Sequence, residues 1–173
     1  MTKSLVPIVL AAFAAGCAAM GGGGGATAVA RLEPTKGNTA SGQVTFTQSG
    51  DSVRVSGTLE GLKPDGEHAF HVHEKGDCSS GDGMSTGGHF NPLAKPHGAH
   101  GGSDHHAGDL PSVKADAYGK ATISFTSKTI SVGAGPTDVT GRGLIVHRDP
   151  DDFKTQPTGN AGPRVACAVI QKS

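Results

Sequence analysis

The sequence predicts an all-β fold, an antiparallel sandwich or barrel, and three observations predict it. About eight short segments carry strand-like patterning with turn residues between them. No segment of helical period stands out, and glycine, at 28 of 173 residues, is spread along the whole chain. Two long connections, 74–111 and 148–163, interrupt the spacing; connections this long in a small domain are usually functional or disordered.

Taken in order, residues 1–17 read as an export signal. Lys3 precedes an apolar stretch over 5–15 that is too short to span a bilayer, and small residues follow it. Residues 18–27 hold the run Gly21 to Gly25, a flexible tether. Residues 28–173 are the size of one domain with a single core. The first strand is expected over 27–32. Residues 42–47 and 52–59 alternate apolar and polar side chains around Ser49-Gly50-Asp51, a hairpin turn. Further strands are expected over 69–73, 112–117, 121–126, 143–146 and 165–170, with a turn at Asp116-Ala117-Tyr118-Gly119. Both long connections carry histidines, carboxylates or an arginine at meaningful spacing, so disorder fits poorly and something must order them, as a metal together with a disulfide could.

Fifteen basic and fifteen acidic residues balance, which leaves no electrostatic footprint for nucleic acid. Nothing after the signal is apolar for long enough to cross a membrane. Cys17 closes the signal, while Cys78 and Cys167 lie in the domain. An oxidising compartment would let the last two pair. Ala14-Ala15-Gly16-Cys17 resembles the lipobox of bacterial lipoproteins, in which the cysteine becomes the lipid-bearing N-terminus. Two outcomes stand open: a membrane anchor at Cys17, or plain cleavage further along.

The histidines point to chemistry. All nine lie between His68 and His147, and seven of them fall from His71 to His106. His71-Val72-His73 sits in an expected strand, where residues two apart face the same way. Both imidazoles then project from one face while Phe70 and Val72 point to the core. Two satisfied surface histidines would also fit that pair, but it does not stand alone. Downstream come His89-Phe90-Asn91-Pro92, His97, His105-His106-Ala107-Gly108-Asp109-Leu110, and His147 at the end of a strand. Imidazole is the commonest ligand for zinc and copper, an aspartate completes a tetrahedral zinc set, and several histidines suit tetragonal copper(II). The pattern predicts a histidine-rich site for two transition metals.

Four segments, in order, resemble the signatures of copper/zinc superoxide dismutases: Phe70-His71-Val72-His73-Glu74, Gly88-His89-Phe90-Asn91-Pro92, Gly108-Asp109-Leu110 and Thr158-Gly159-Asn160-Ala161-Gly162. The similarity runs from about residue 28 to residue 170. It implies an eight-stranded Greek-key barrel with two functional loops, one copper ion and one zinc ion. By position, His71, His73, His89 and His147 resemble the copper ligands, and His89, His97, His106 and Asp109 the zinc ligands, with His89 bridging. Asp151 resembles an aspartate that links a copper-bound and a zinc-bound histidine, here His71 and His97. Arg164 resembles the arginine beside copper that receives the anion, so Arg164 and His89 are the implied catalytic residues.

Three histidines remain. His68 shares parity with Phe70 and Val72 and is expected to face the core in a structural hydrogen bond. His100 and His105 lie in a glycine-rich loop and are expected to be solvated. His105 stays in competition with His106 for the zinc role, which the spacing to Gly108-Asp109-Leu110 gives to His106.

The resemblance implies conversion of superoxide to oxygen and hydrogen peroxide by alternating reduction and reoxidation of copper, with His89 gaining and returning a proton and zinc structural. An exported enzyme of this kind would protect the periplasm or cell envelope. Two rivals are a metal carrier of the same fold and a non-enzymatic envelope scaffold. Such carriers tend to lack a copper ligand or the arginine, all of which are present here, and a scaffold has no use for the metal set. The resemblance admits both a monomer and a homodimer.

Overall fold

The computed structural model of the chain describes Met1 and residues 25–173. Nearly all of the expected export signal, Cys17 included, and most of the expected tether therefore lie outside the described residues. These contain nine strands: β1 (Thr27–Pro34), β2 (Ser41–Ser49), β3 (Ser52–Glu60), β4 (Glu67–His68), β5 (Phe70–His73), β6 (Val113–Lys114), β7 (Ala121–Ser127), β8 (Gly143–His147) and β9 (Arg164–Lys172). One 3₁₀ turn, Met84–Thr86, is the sole helical element among them. Seven strands form one antiparallel sheet in the order β5-β8-β9-β1-β2-β3-β7, while β4 and β6 pair separately.

Alternation decides which face of the large sheet is inside. Ala28, Ala30 and Leu32 of β1, Val44 and Phe46 of β2, and Val53 and Val55 of β3 are all buried. Their partners on the opposite face are largely open, so the sheet curls around one core with Phe70, Leu144 and Ile170. Ser49 pairs with Ser52, leaving Gly50 and Asp51 as the hairpin loop, and Gly50 takes the positive φ (58°) that the turn needs.

Two expected strands come out differently. The segment 112–117 shortens to Val113–Lys114, because the Asp116 carboxylate accepts the N–H groups of Tyr118 and Lys120, both at 2.9 Å, and turns the chain. The expected strand over 69–73 becomes β5, starting at Phe70, and a separate β4 (Glu67–His68) precedes it, because Ala69 between them bonds to Asp149 and His147. The ninth strand is this two-residue β4.

The strands that carry the site are β5 and β8, buried along their whole length. Phe70, Val72, Leu144 and Val146 join the core, whereas the alternate positions lie beneath the loops. The first loop closes the free edge of β5: Val72 donates to Gly108 O (2.9 Å), Phe90 to Val72 O (2.8 Å) and Glu74 to Gly88 O (3.0 Å). A Cβ on Gly108 would come 2.3 Å from Val72 O, so glycine is required for this approach. The Cys78–Cys167 disulfide, with Cα atoms 6.0 Å apart, ties the same loop to β9.

Candidate metal centre

His71 and His73 come from β5, His147 from the end of β8, and His89 from the loop segment that closes β5's edge. Each offers one ring nitrogen, and these atoms lie within 4.8 Å of one another. A second group shares His89 and adds His97, His106 and Asp109 from the first loop, with ligand atoms equally close. All seven side chains are buried.

Hydrogen bonds fix which nitrogen each ring presents. His73 Nδ1–H donates to Gly87 O (2.9 Å) and His147 Nδ1–H to Gly162 O (3.1 Å), since a carbonyl can only accept. Their Nε2 lone pairs then face each other at 3.4 Å. His71 Nε2–H donates to Asp151 Oδ2 (2.7 Å), leaving Nδ1 buried with no partner. His89 Nδ1 lies 2.8 Å from Asp109 Oδ1, and its Nε2 is likewise buried and unpartnered. In the second group His97 Nδ1 is 3.0 Å from Asp109 Oδ2, and His106 Nδ1 is 3.3 Å from Asp109 Oδ1 and 3.4 Å from His89 Nδ1.

Buried lone pairs without donors are costly, and natural interiors rarely keep them. Four nitrogens converge at the first point, three nitrogens and a carboxylate at the second. A cation at each point satisfies them all, so the residues fit two metal ions.

Asp151 joins the groups, because His97 Nε2–H also donates to it (Oδ1, 2.9 Å). Gly159 packs directly on this link; a Cβ there would lie 2.6 Å from His97 Nε2 and would collide with Asp151. Burial, only partly opposed by Asp109, pushes His89 down to about 4, and burial with neighbouring His71 pushes His147 to about 3. His73 is also well below its ordinary value, from burial and from the charges of His89, His147 and Arg164. Burial would lower His97 too, but bonds to Asp109 and Asp151 outweigh it and lift His97 to about 9. Burial would raise both aspartates, yet their histidine partners hold them well below the usual carboxylate range.

The family model for copper/zinc superoxide dismutase matches residues 40–170. The chain belongs to the copper/zinc superoxide dismutase family. A crystal structure described as that of the clock protein EA4 is similar at 43% identity and a TM-score of 0.77, over 84% of this chain and 93% of its own. As a copper/zinc superoxide dismutase the protein is an oxidoreductase acting on superoxide, and its two histidine groups could hold the copper and the zinc that the family binds.

Arg164, at the start of β9, is half-buried beside this superoxide dismutase site. Its Nη1 donates to Gly83 O and to Thr86 Oγ1, and its Nη2 to Gly87 O. His68 donates from Nδ1 to His147 O (2.8 Å) and is buried. The expectation of solvated His100 and His105 needs correction. His105 is buried and donates to His106 O, while His100 is partly buried and donates to Asp109 O (2.9 Å). A glycine-rich sequence does not reveal that the loop folds back on itself. Sequence reading also misses Gln156, whose amide brackets the His97 backbone by accepting from its N–H (2.8 Å) and donating to its carbonyl (2.9 Å). No local signal marks that glutamine.

Proposed function

We propose that His71, His73, His89 and His147 hold the copper, that His89, His97, His106 and Asp109 hold the zinc, and that Arg164 draws superoxide to the copper side. The observation that carries this reading is the shared His89: Nδ1 faces the group with the carboxylate, and the orphaned Nε2 faces the all-histidine group. An all-nitrogen set suits copper(II), and a set with one carboxylate suits zinc. Copper, when bound, would supply the one-electron chemistry that oxidises one superoxide to oxygen and, with the uptake of two protons, reduces the next to hydrogen peroxide. His89 Nε2 is placed to hold a proton, and Asp109 and Asp151 fix the rings around it.

Superoxide has almost no apolar surface, so charge is its main handle. A unit charge pair at about 4 Å and an effective dielectric near 20 is worth up to ~4 kcal/mol, less at a partly open site. Arg164→Ala should therefore lower turnover roughly 10- to 100-fold at matched copper occupancy, and Arg164→Lys should keep part of the rate. Rising salt should slow the wild type more than the alanine variant. Superoxide decay followed on the metal-loaded protein tests the reading: equal rates for wild type and Arg164→Ala would sink it, and absence of any turnover would favour a metal carrier.

Export belongs to the same reading. Residues 1–17 carry the signal pattern, Cys17 the lipobox, and the paired Cys78 and Cys167 suit an oxidising compartment, so the enzyme protects the cell envelope. Cys17→Ser should release it from the membrane fraction. A wild-type protein that is soluble from the start would refute the anchor and leave the enzyme reading intact.

A further inference from the structure

Arg164 has a long and flexible side chain, yet one short segment of the first loop fixes three of its N–H groups. That segment is the 3₁₀ turn Met84–Thr86, bounded by Gly83 and Gly87 at φ 78° and 73°. These left-handed ends bring Gly83 O, Thr86 Oγ1 and Gly87 O around the guanidinium. Two of the three acceptors are backbone carbonyls that any sequence would supply. The third is a side chain, and it is fully buried.

Thr86 is held in one rotamer from both sides. Its hydroxyl hydrogen goes to Gly83 O (2.8 Å), which turns an oxygen lone pair to Arg164 Nη1, also at 2.8 Å. Its methyl packs where β8 has only Gly143: a Cβ there would meet Thr86 Cγ2 at 2.8 Å. A guanidinium has five donors, and the loop engages three, leaving Nε–H and one Nη2–H without a protein partner among the described residues.

We infer that Thr86 is a positioning residue for the reaction: its hydroxyl orients the Arg164 guanidinium so that the two remaining N–H donors meet the incoming anion. The inference rests on the reading of Arg164 given above. Hydrogen bonds to a charged group are among the stronger ones, and a guanidinium relieved of one can turn about its stem. Thr86→Val keeps the shape and the methyl and removes only the hydroxyl. Thr86→Ser keeps the hydroxyl.

The test uses the fully metallated protein at matched copper and zinc content, with two measurements: superoxide turnover, and azide affinity from the copper(II) visible absorption. Thr86→Val should weaken azide binding and slow turnover by a similar factor, roughly three- to tenfold. Thr86→Ser should recover most of both. In an Arg164→Ala background, Thr86→Val should change neither, since its effect passes through the guanidinium. Unchanged azide affinity in Thr86→Val, a serine variant as impaired as valine, or a further loss in the Arg164→Ala background would each overturn the inference. Wild-type behaviour of Arg164→Ala itself would instead bring down the reading of Arg164, and this inference with it.

Discussion

The two halves of the metal centre are built in different ways. His71, His73 and His147 stand on paired strands, β5 and β8, whose backbone bonds and core side chains set the ring positions. His97, His106 and Asp109 stand on a loop without regular structure, held by side-chain bonds to Asp109, Asp151 and Gln156. The strand half is all imidazole, and burial keeps His73 and His147 neutral. The loop half is arranged around carboxylates, and His97 holds its proton near neutral pH. The fold itself preorganises the first half, while the second half depends on charge, on the disulfide and on the ion it binds.

Substitutions that remove one ligand from each half separate them most sharply. His147→Ala should abolish turnover by weakening copper while zinc stays near full occupancy, because none of the proposed zinc ligands is touched. Asp109→Asn should do the reverse, lowering zinc affinity by roughly a hundredfold or more, since a buried charge that accepts from several partners is lost. Metal analysis of both variants decides the matter. Loss of zinc in preference to copper from His147→Ala would show the two sets to be wrongly assigned.

Next in size is the disulfide, which acts on the loop half. Cys78 and Cys167 are 89 residues apart, and closing such a loop restricts the unfolded chain by roughly 4–5 kcal/mol in a chain-entropy account. Reduction should lower the thermal midpoint with metals bound, and it should speed zinc loss more than copper loss. Equal acceleration of both losses would contradict the division between the halves.

A smaller effect, of opposite sign for His97 and for the other buried groups, is expected with pH in the metal-free protein. Unfolded histidines titrate near 6.5. His89, at about 4, and His147, at about 3, take up protons on unfolding, so their stability is complete above about pH 6.5 and falls away as pH drops toward those values. Asp109 and Asp151 extend this loss at lower pH. His97 behaves oppositely: its stabilisation is complete below about pH 6.5 and is lost as pH rises through about 9. The thermal midpoint should peak between these limbs. Zinc uptake near pH 7.5 should expel the His97 proton, read by calorimetry in buffers of different ionisation enthalpy. Uptake without proton release would contradict the charged His97.

What the sequence made legible follows the same division. The alternation of Val44, Phe46, Val53 and Val55 reveals its strands because burial on one face of a sheet imposes period two. The two-residue β4 and β6 carry no such pattern; their pairing depends on where the turn at Asp116 places the chain. Every residue of the two metal groups was visible, because histidine and aspartate carry their chemistry in their identity. Thr86 and Gln156 were not, and Gly159 stood out only as part of a matched segment, since a hydroxyl, an amide or a missing Cβ acquires a role only through partners distant in sequence. His100 and His105 were misread for the same reason.

The smallest expected effect concerns those two histidines and sharpens the account of the loop half. His105 donates to the carbonyl of His106 and His100 to that of Asp109, so each ring anchors the backbone of a proposed zinc ligand. Their rings are 5.3 Å apart, and His100 meets Phe125 of β7 edge-on at 5.9 Å, which braces the loop against the edge of the large sheet. Burial lowers His100, so the bond is that of a neutral imidazole. One neutral hydrogen bond is worth about 0.5–1.5 kcal/mol net, or about two- to tenfold in an equilibrium constant. His100→Phe keeps an aromatic ring against Phe125 and removes only the donor. It should weaken zinc binding by that factor in competition with a chelator and leave copper affinity unchanged, because the rings of His71, His73 and His147 keep their own bonds to Asp151, Gly87 and Gly162. Unaltered zinc affinity would mean that the aromatic packing alone sets the loop, and a parallel fall in copper affinity would mean that the strand half is less independent than its backbone bonds imply.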